Sequence, residues 1–279
     1  MRLLSAMAAL ALLSPAAPAA AASPVCDAAC LTGVAGRYVA ALAQRGASAG
    51  LPWAARVRYS ENGVPMMVDD GIWATVTAHG ATPLVIADPA ASTVTWMGEV
   101  EEHGQPAFLA LRLKVAGRAI AEAEAVIRRK EGRPPFADPA TFGFGAGLAD
   151  TLPPAARTSR LRLAAIARSY VAGRVGTQPA SGCVRVENGV ARAGCAIGGM
   201  EAVRGVAVGA VDEGRGLVTV MGVRDYAGVA GAGAPPADAP FPHSYAFAIV
   251  IRVQDGAVAR VEEVSSPVPY RMPTWEDHR

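Results

Sequence analysis

The stretch Asp88-Pro89-Ala90-Ala91-Ser92-Thr93-Val94-Thr95-Trp96-Met97-Gly98 lines up without a gap on Asp212-Glu213-Gly214-Arg215-Gly216-Leu217-Val218-Thr219-Val220-Met221-Gly222. The offset is 212 − 88 = 124, and Asp, Val, Thr, Met and Gly coincide. Glu61-Asn62-Gly63 recurs as Glu187-Asn188-Gly189, at 187 − 61 = 126. Upstream, Val34 to Ala40 resembles Ile166 to Ala172, at 166 − 34 = 132. Downstream, Lys114 to Glu124 matches Arg252 to Glu262, at 252 − 114 = 138. Four matches in one order, drifting as loop insertions would make them drift, mean that one unit is written twice.

Each copy reads as a helix, a strand with a tight turn, then long antiparallel strands. Leu31 to Arg45 is Ala-rich and apolar at helical spacing. Phe108 to Val115 alternates, with Leu109, Leu111, Leu113 and Val115 on one face and Arg112 and Lys114 on the other. Tyr245 to Val253 is apolar on both faces, which predicts a strand covered on both sides. Ala119 to Arg128 and Ala257 to Val264 follow turns at Ala116-Gly117 and Asp255-Gly256. Residues 132–158, rich in Pro and Gly and without periodicity, read as a linker between a first domain at 23–131 and a second at 159–279. Because an apolar face must be buried, the two sheets are expected to pack back to back.

Composition bounds the function. With 52% apolar residues the chain has ample material for a core. Lys+Arg 26 against Asp+Glu 24 gives +2, too near neutrality for the basic face a nucleic-acid binder needs. Met1-Arg2, the apolar run Leu3 to Leu13 and the small residues Ala20-Ala21-Ala22 match a secretory signal at 1–22, too short to span a bilayer. Export to the periplasm or beyond the cell is therefore expected. In an oxidising compartment the four cysteines read as two local disulfides, Cys183 with Cys195 and Cys26 with Cys30. The second pair is the geometrically awkward one, because i,i+4 within one helix suits the bond poorly.

A helix on a strongly curved antiparallel sheet, about 110 residues long and present twice, resembles the SnoaL-like branch of the NTF2-like cone fold, an α+β class. In the second copy, Cys183 to Gly189, Cys195, Val211-Asp212-Glu213 and Arg252 to Gly256 resemble a secreted fungal and bacterial family of tandem SnoaL-like domains without a generally assigned function. Members typically carry paired arginines shortly before the Val-Asp-Glu. Here Val206-Ala207-Val208 stands there, with Arg204 nearby. The resemblance implies cofactor-free acid–base chemistry on a hydrophobic or aromatic compound (isomerase, dehydratase or lyase), or else non-catalytic binding of an apolar ligand.

Other motifs carry little. Gly46-Ala47-Ser48-Ala49-Gly50 spells a serine-hydrolase elbow but lacks the strand leading in and the helix leading out. Gly143 to Gly147 lacks the spacing of a dinucleotide loop. Scattered histidines suggest no metal site, and no cofactor is implied. The partner expected is a small hydrophobic molecule, for a chain that is a monomer or at most a weak dimer, with no membrane span.

Duplication supplies an internal comparison for locating a site. Shared residues, such as Tyr38/Tyr170, Asn62/Asn188, Asp88/Asp212 and Gly98/Gly222, are expected to maintain the fold. Unshared polar or aromatic residues are the functional candidates. In the second copy these include Arg185, Asp225, Tyr226, His243 and Tyr245, near the loop Gly228 to Pro242. The expected catalytic set is His243 for proton transfer, Asp225 orienting it and Tyr245 as hydroxyl donor. In the first copy, Trp73 and Trp96 would form apolar walls, Glu99 a base and Arg112 a further substrate contact.

Overall fold

The computed structural model describes residues 25–44, 47–130, 135–139, 143–145, 147–173, 179–228 and 241–274. The expected signal segment 1–22 and most of the loop 228–242 lie outside them. The first copy runs α1 (Ala28–Leu42), β1 (Trp53–Glu61), β2 (Val64–Met66), α2 (Ile72–Thr75), β3 (Val76–His79), β4 (Leu84–Asp88), β5 (Thr93–Glu102), β6 (Gln105–Ala116) and β7 (Ala119–Arg128). The second runs α3 (Arg160–Val171), β8 (Pro179–Glu187), β9 (Val190–Arg192), β10 (Ala202–Asp212), β11 (Leu217–Tyr226), β12 (His243–Gln254) and β13 (Ala257–Val268).

The sheets have the same plan. The first orders β2-β1-β7-β6-β5, with β3 and β4 both pairing β5; the second orders β9-β8-β13-β12-β11-β10. In each, the first long strand lies parallel to the last, and the other pairings are antiparallel. The copies differ at one edge. Gly80 to Pro83 separates β3 from β4, whereas the aligned Arg204 to Ala207 is only a register shift inside β10. Pro83 has no N–H to give a ladder, so the bulge of one copy becomes a break in the other.

Shared residues hold these pairings, as the comparison of copies implies. Asn62 and Asn188 both take the left-handed conformation, φ 49° and 47°. Each then reaches across to the last strand of its sheet. Asn62 Oδ1 accepts from Ile127 N at 2.9 Å, and Asn188 Oδ1 accepts from Ser265 N at 2.9 Å. Gly98 and Gly222 leave room for rings: a Cβ on Gly98 would meet Trp96 at 2.5 Å, and one on Gly222 would meet Phe247 at 3.0 Å.

Side-chain alternation splits each sheet into two faces. The outer face of the first carries Leu109, Leu111 and Leu113 against Val34, Tyr38 and Leu42 of α1. The outer face of the second carries Phe247, Ile249 and Ile251 against Leu163, Ile166 and Tyr170 of α3. Between the sheets lies a third apolar cluster drawn from both copies, including Ile86, Met97, Phe108, Met221, Ala248 and Val250. The sheets thus pack back to back, with a helix outside each. At the centre Thr95 Oγ1 and Thr219 Oγ1 meet at 2.9 Å, and these are equivalent positions in the two copies.

Two expectations change. The segment 132–158 is not a free linker over its described residues. Phe144, Leu148 and Leu152 are buried, and the first two join the layer between the sheets. Apolar residues spaced for a meandering chain leave no helical or strand period to detect. The first helix begins three residues earlier than expected, at Ala28, because Asp27 caps it by accepting from Cys30 N at 2.8 Å. That boundary also puts Cys26 ahead of the helix, so Cys26–Cys30 closes as a disulfide, as does Cys183–Cys195. No helix among the described residues is long and apolar enough to cross a membrane.

Candidate functional site

The expected catalytic set does not assemble. Asp225 stands opposite Ser244, on the face turned toward the first copy, while Tyr226 stands opposite His243 on the outer face. Neighbours along a strand point to opposite faces, so the carboxylate cannot orient the imidazole. Asp225 instead takes Arg204 at 2.5 and 3.0 Å and the Ser244 hydroxyl at 2.6 Å. Burial alone would raise its pKa, but the Arg204 and Ser244 hydrogen bonds outweigh burial and hold the carboxyl below the usual aspartate range.

His243 keeps different company. Its Nδ1 lies 3.0 Å from the Phe241 carbonyl. A carbonyl only accepts, so Nδ1 carries the proton, and in the neutral ring Nε2 carries the lone pair. That Nε2 is buried without a hydrogen-bond partner among the described residues. The ring stacks on Tyr226 at 5.0 Å and meets Tyr245 edge-on at 5.5 Å. Of the expected triad, His243 and Tyr245 come together and Asp225 does not.

Below this aromatic group, on the same face, lies a buried ionic cluster. Arg224 pairs with Glu263, both within 2% of full burial, and stacks its guanidinium 4.7 Å from the Phe247 ring. Arg185 bridges Glu263 at 3.0 Å and Glu187 at 3.2 Å. Ser265 Oγ donates to Glu187 at 2.9 Å. Burial, with the Arg185 charge adding, holds the Arg224 guanidinium below the usual arginine range. Burial pushes the Tyr170 phenol up to about 12, against the charges of Arg185 and Arg224. Arg185 was legible as an unshared residue. Arg224 and Glu263 were missed, although they too are unshared charged residues, standing where the first copy has Val100 and Ala125.

In the first copy the candidates also divide between faces. Trp73 and Trp96 are buried on the outer face. Trp73 closes a ring cluster with Tyr38 at 4.8 Å and Trp53 at 6.0 Å. Glu99 stands opposite Phe108, on the face toward the second sheet, and so cannot serve those walls as a base. Its carboxyl is raised by burial, with the Asp138 and Glu101 charges adding. Arg112 also faces inward, where it pairs with Glu122 at 2.9 Å and Glu124 at 3.8 Å. It belongs to the packing between the copies rather than to a ligand contact.

The outer face of the first copy instead carries a clamp that sequence reasoning missed. Arg129 holds Glu102 through two hydrogen bonds, at 2.6 and 2.8 Å, and Glu61 at 2.9 Å. Thr75 Oγ1 adds a 2.5 Å bond to Glu102. Beside the clamp opens a groove of about 420 Å3, lined by Thr75, Glu102, His103, Gln105, Pro106, Ala107, Arg129 and Lys130. Glu61, in the repeated Glu-Asn-Gly, was the one available signal. Ser48 of the rejected hydrolase motif is buried in a short 3-10 turn and donates to Asp69.

Among the described residues no group of three or more His, Cys, Asp and Glu side chains is arranged to hold a metal ion. Residues 156–265, from just before α3 into β13, match a family described only as a domain of unknown function (DUF8021). No curated protein matches the chain.

Proposed function

We propose that this is an exported protein that binds a small hydrophobic or aromatic molecule on the outer face of its second copy. The carrying observation is His243, whose Nε2 is buried and has no hydrogen-bond partner among the described residues, while its ring lies against two tyrosines and Nδ1 is committed to the Phe241 carbonyl. A planar ligand with an N–H or O–H would give that nitrogen its missing donor and extend the ring stack. The buried Arg224–Glu263 and Arg185–Glu187 pairs beneath form a fixed polar floor. Two disulfides and the amino-terminal pattern support export. Likeness to tandem SnoaL-like cones, carried by the duplicated sheet plan, supports the choice of ligand class.

Acid–base catalysis without a cofactor is the second reading, and the same lone pair favours it, since Nε2 could take a proton from a bound compound. Binding is preferred because the carboxylates on that face, Glu187 and Glu263, are engaged by arginines and none orients the imidazole.

Ligand-observed NMR on the mature chain, with a panel of apolar and aromatic compounds, tests the site. His243→Ala should abolish the strongest interactions, while Asp225→Ala should keep them. Full binding by a folded His243→Ala variant would overturn the assignment. Consumption of a panel compound, lost in the same variant, would promote the catalytic reading. Mass spectrometry of protein from its native host should show a start near Ser23; an intact Met1 would sink export.

A further inference from the structure

Residues 193–201 join β9 to β10 and belong to no helix or strand. They nonetheless close one side of the apolar layer between α3 and the second sheet. Cys195 and Ile197 are buried in that layer, and Met200 packs against it. A Cβ on Gly173, just past α3, would stand 2.8 Å from Met200 Cε and 3.3 Å from the Ile197 carbonyl. At the far end Glu201 N donates to Asp225 O at 2.8 Å, one residue from Tyr226, whose ring stacks on His243. The stretch thus bridges the end of the helix and the edge of the sheet, beside the aromatic group.

Its two ends are fastened differently. Cys195 is bonded to Cys183 of β8, and its carbonyl accepts from the Tyr170 hydroxyl of α3. Glu201 is held by Tyr270, whose hydroxyl donates to it at 2.5 Å, and by the Arg271 guanidinium. That second fastening stands in solvent, with the Arg271 side chain 60% exposed and that of Glu201 31%. An exposed ion pair holds weakly and is screened by salt. Between the ends Gly198 and Gly199 follow one another, and Gly199 takes φ 75°. In the first copy the matching stretch 67–75 is pinned from within. It contains α2, buries Ile72 and Trp73, and ties Ile72 N to Glu61 at 2.8 Å. Local opening concentrates where few buried contacts resist it.

We propose that residues 196–201 are the gate through which a ligand reaches the outer face of the second copy. The Glu201 end swings away when Tyr270 and Arg271 let go, and the disulfide at Cys195 keeps the other end in place as the hinge. Opening lifts Ile197 and Met200 off the apolar layer, and closing seals it from water. This rests on the reading that the outer face of the second copy holds a ligand, and adds the route by which the ligand enters. A gate that lies outside the bound contacts changes how fast a ligand enters and leaves, and leaves the affinity alone.

The test uses the full mature chain and two readouts, one of them free of ligand. Ile197→Cys places a thiol under the gate, and its labelling by iodoacetamide reports opening alone. Stopped-flow fluorescence with 2-naphthol, a planar molecule with one O–H, reports entry and release. Glu201→Ala should speed labelling, entry and release by about threefold each, with Kd within about twofold of wild type. Gly198→Ala, where a Cβ meets nothing within 4 Å, stiffens the opened stretch and should slow all three by about threefold. General loosening of the fold cannot produce that opposite direction. Labelling unmoved by either substitution overturns the gate. So does labelling that responds while entry and release keep their wild-type rates. If His243→Ala binds 2-naphthol fully, the site reading fails while the rates still judge the gate. If the wild type does not bind it, the site reading fails and the gate stands or falls on the labelling.

Discussion

Replacing Asn188 by alanine tests how much of the fold one repeated turn holds. Asn188 is 1% exposed and φ is 47°. Its side chain accepts from Ser265 N at 2.9 Å and donates to Ser265 O at 3.0 Å and to Pro135 O at 3.2 Å. Alanine would leave the Ser265 amide and carbonyl unpaired in a buried place. Each loss is worth about 1–3 kcal/mol, with the lower part of that range suited to neutral groups. A further ~1 kcal/mol comes from holding a Cβ-bearing residue without a polar side chain in the left-handed region. The sum is about 3–5 kcal/mol, which for a chain of this size lowers Tm by roughly 10 °C. Asn188→Gly keeps the turn and loses only the hydrogen bonds, so it should recover about 1 kcal/mol of the deficit. Urea unfolding of the three proteins side by side gives the comparison. A loss under ~1 kcal/mol for Asn188→Ala would refute the reasoning, since buried backbone groups would then be satisfied without the side chain.

Other consequences are equally direct. Arg129→Met should cost about 2–3 kcal/mol in urea unfolding, discounted because Arg129 is 36% exposed, since it leaves the Glu61 and Glu102 carboxylates without their cation; a loss under ~0.5 kcal/mol would show that the clamp carries no weight in the fold. Asp225 has a depressed folded pKa, so it contributes stability above the unfolded carboxyl value of about 3.9 and loses it as pH falls through the lower folded value. The stability gap between wild type and Asp225→Asn should therefore close as the pH falls below the unfolded carboxyl value of about 3.9 in urea titrations; a constant gap would speak against the Arg204 pairing. Cys183→Ser with Cys195→Ser opens a 12-residue separation and should cost about 3 kcal/mol; peptide mapping without reductant that recovers free thiols would contradict the bond itself.

The duplication made much of the fold legible. Asp88 to Gly98 against Asp212 to Gly222 identified β5 and β11, and the doubled Asn-Gly turns identified the strands that flank them. Apolarity on both faces of β12 foretold the layer between the sheets. The site was harder. Whether Asp225 meets His243 depends on strand parity, and a carboxylate one residue from Tyr226 in sequence is a sheet's thickness away in space. Arg129 meets Glu102 across 27 residues because two strand ends coincide at one rim, and no local pattern records that. Glu263 followed another glutamate, and only pairing with Arg224 distinguishes it from its neighbour.

The contact of Thr95 with Thr219 has one more consequence. Equivalent positions meet at the centre, so the two copies are arranged as two identical chains would be about a twofold axis. In a true pair of chains that interface would come apart on dilution, and any change in one outer face would appear in the other. Covalent connection keeps each copy at a millimolar-scale effective concentration for its neighbour, however far the protein is diluted. It also frees the two faces to diverge, one toward Arg224 and Glu263, the other toward Arg129 and Glu102.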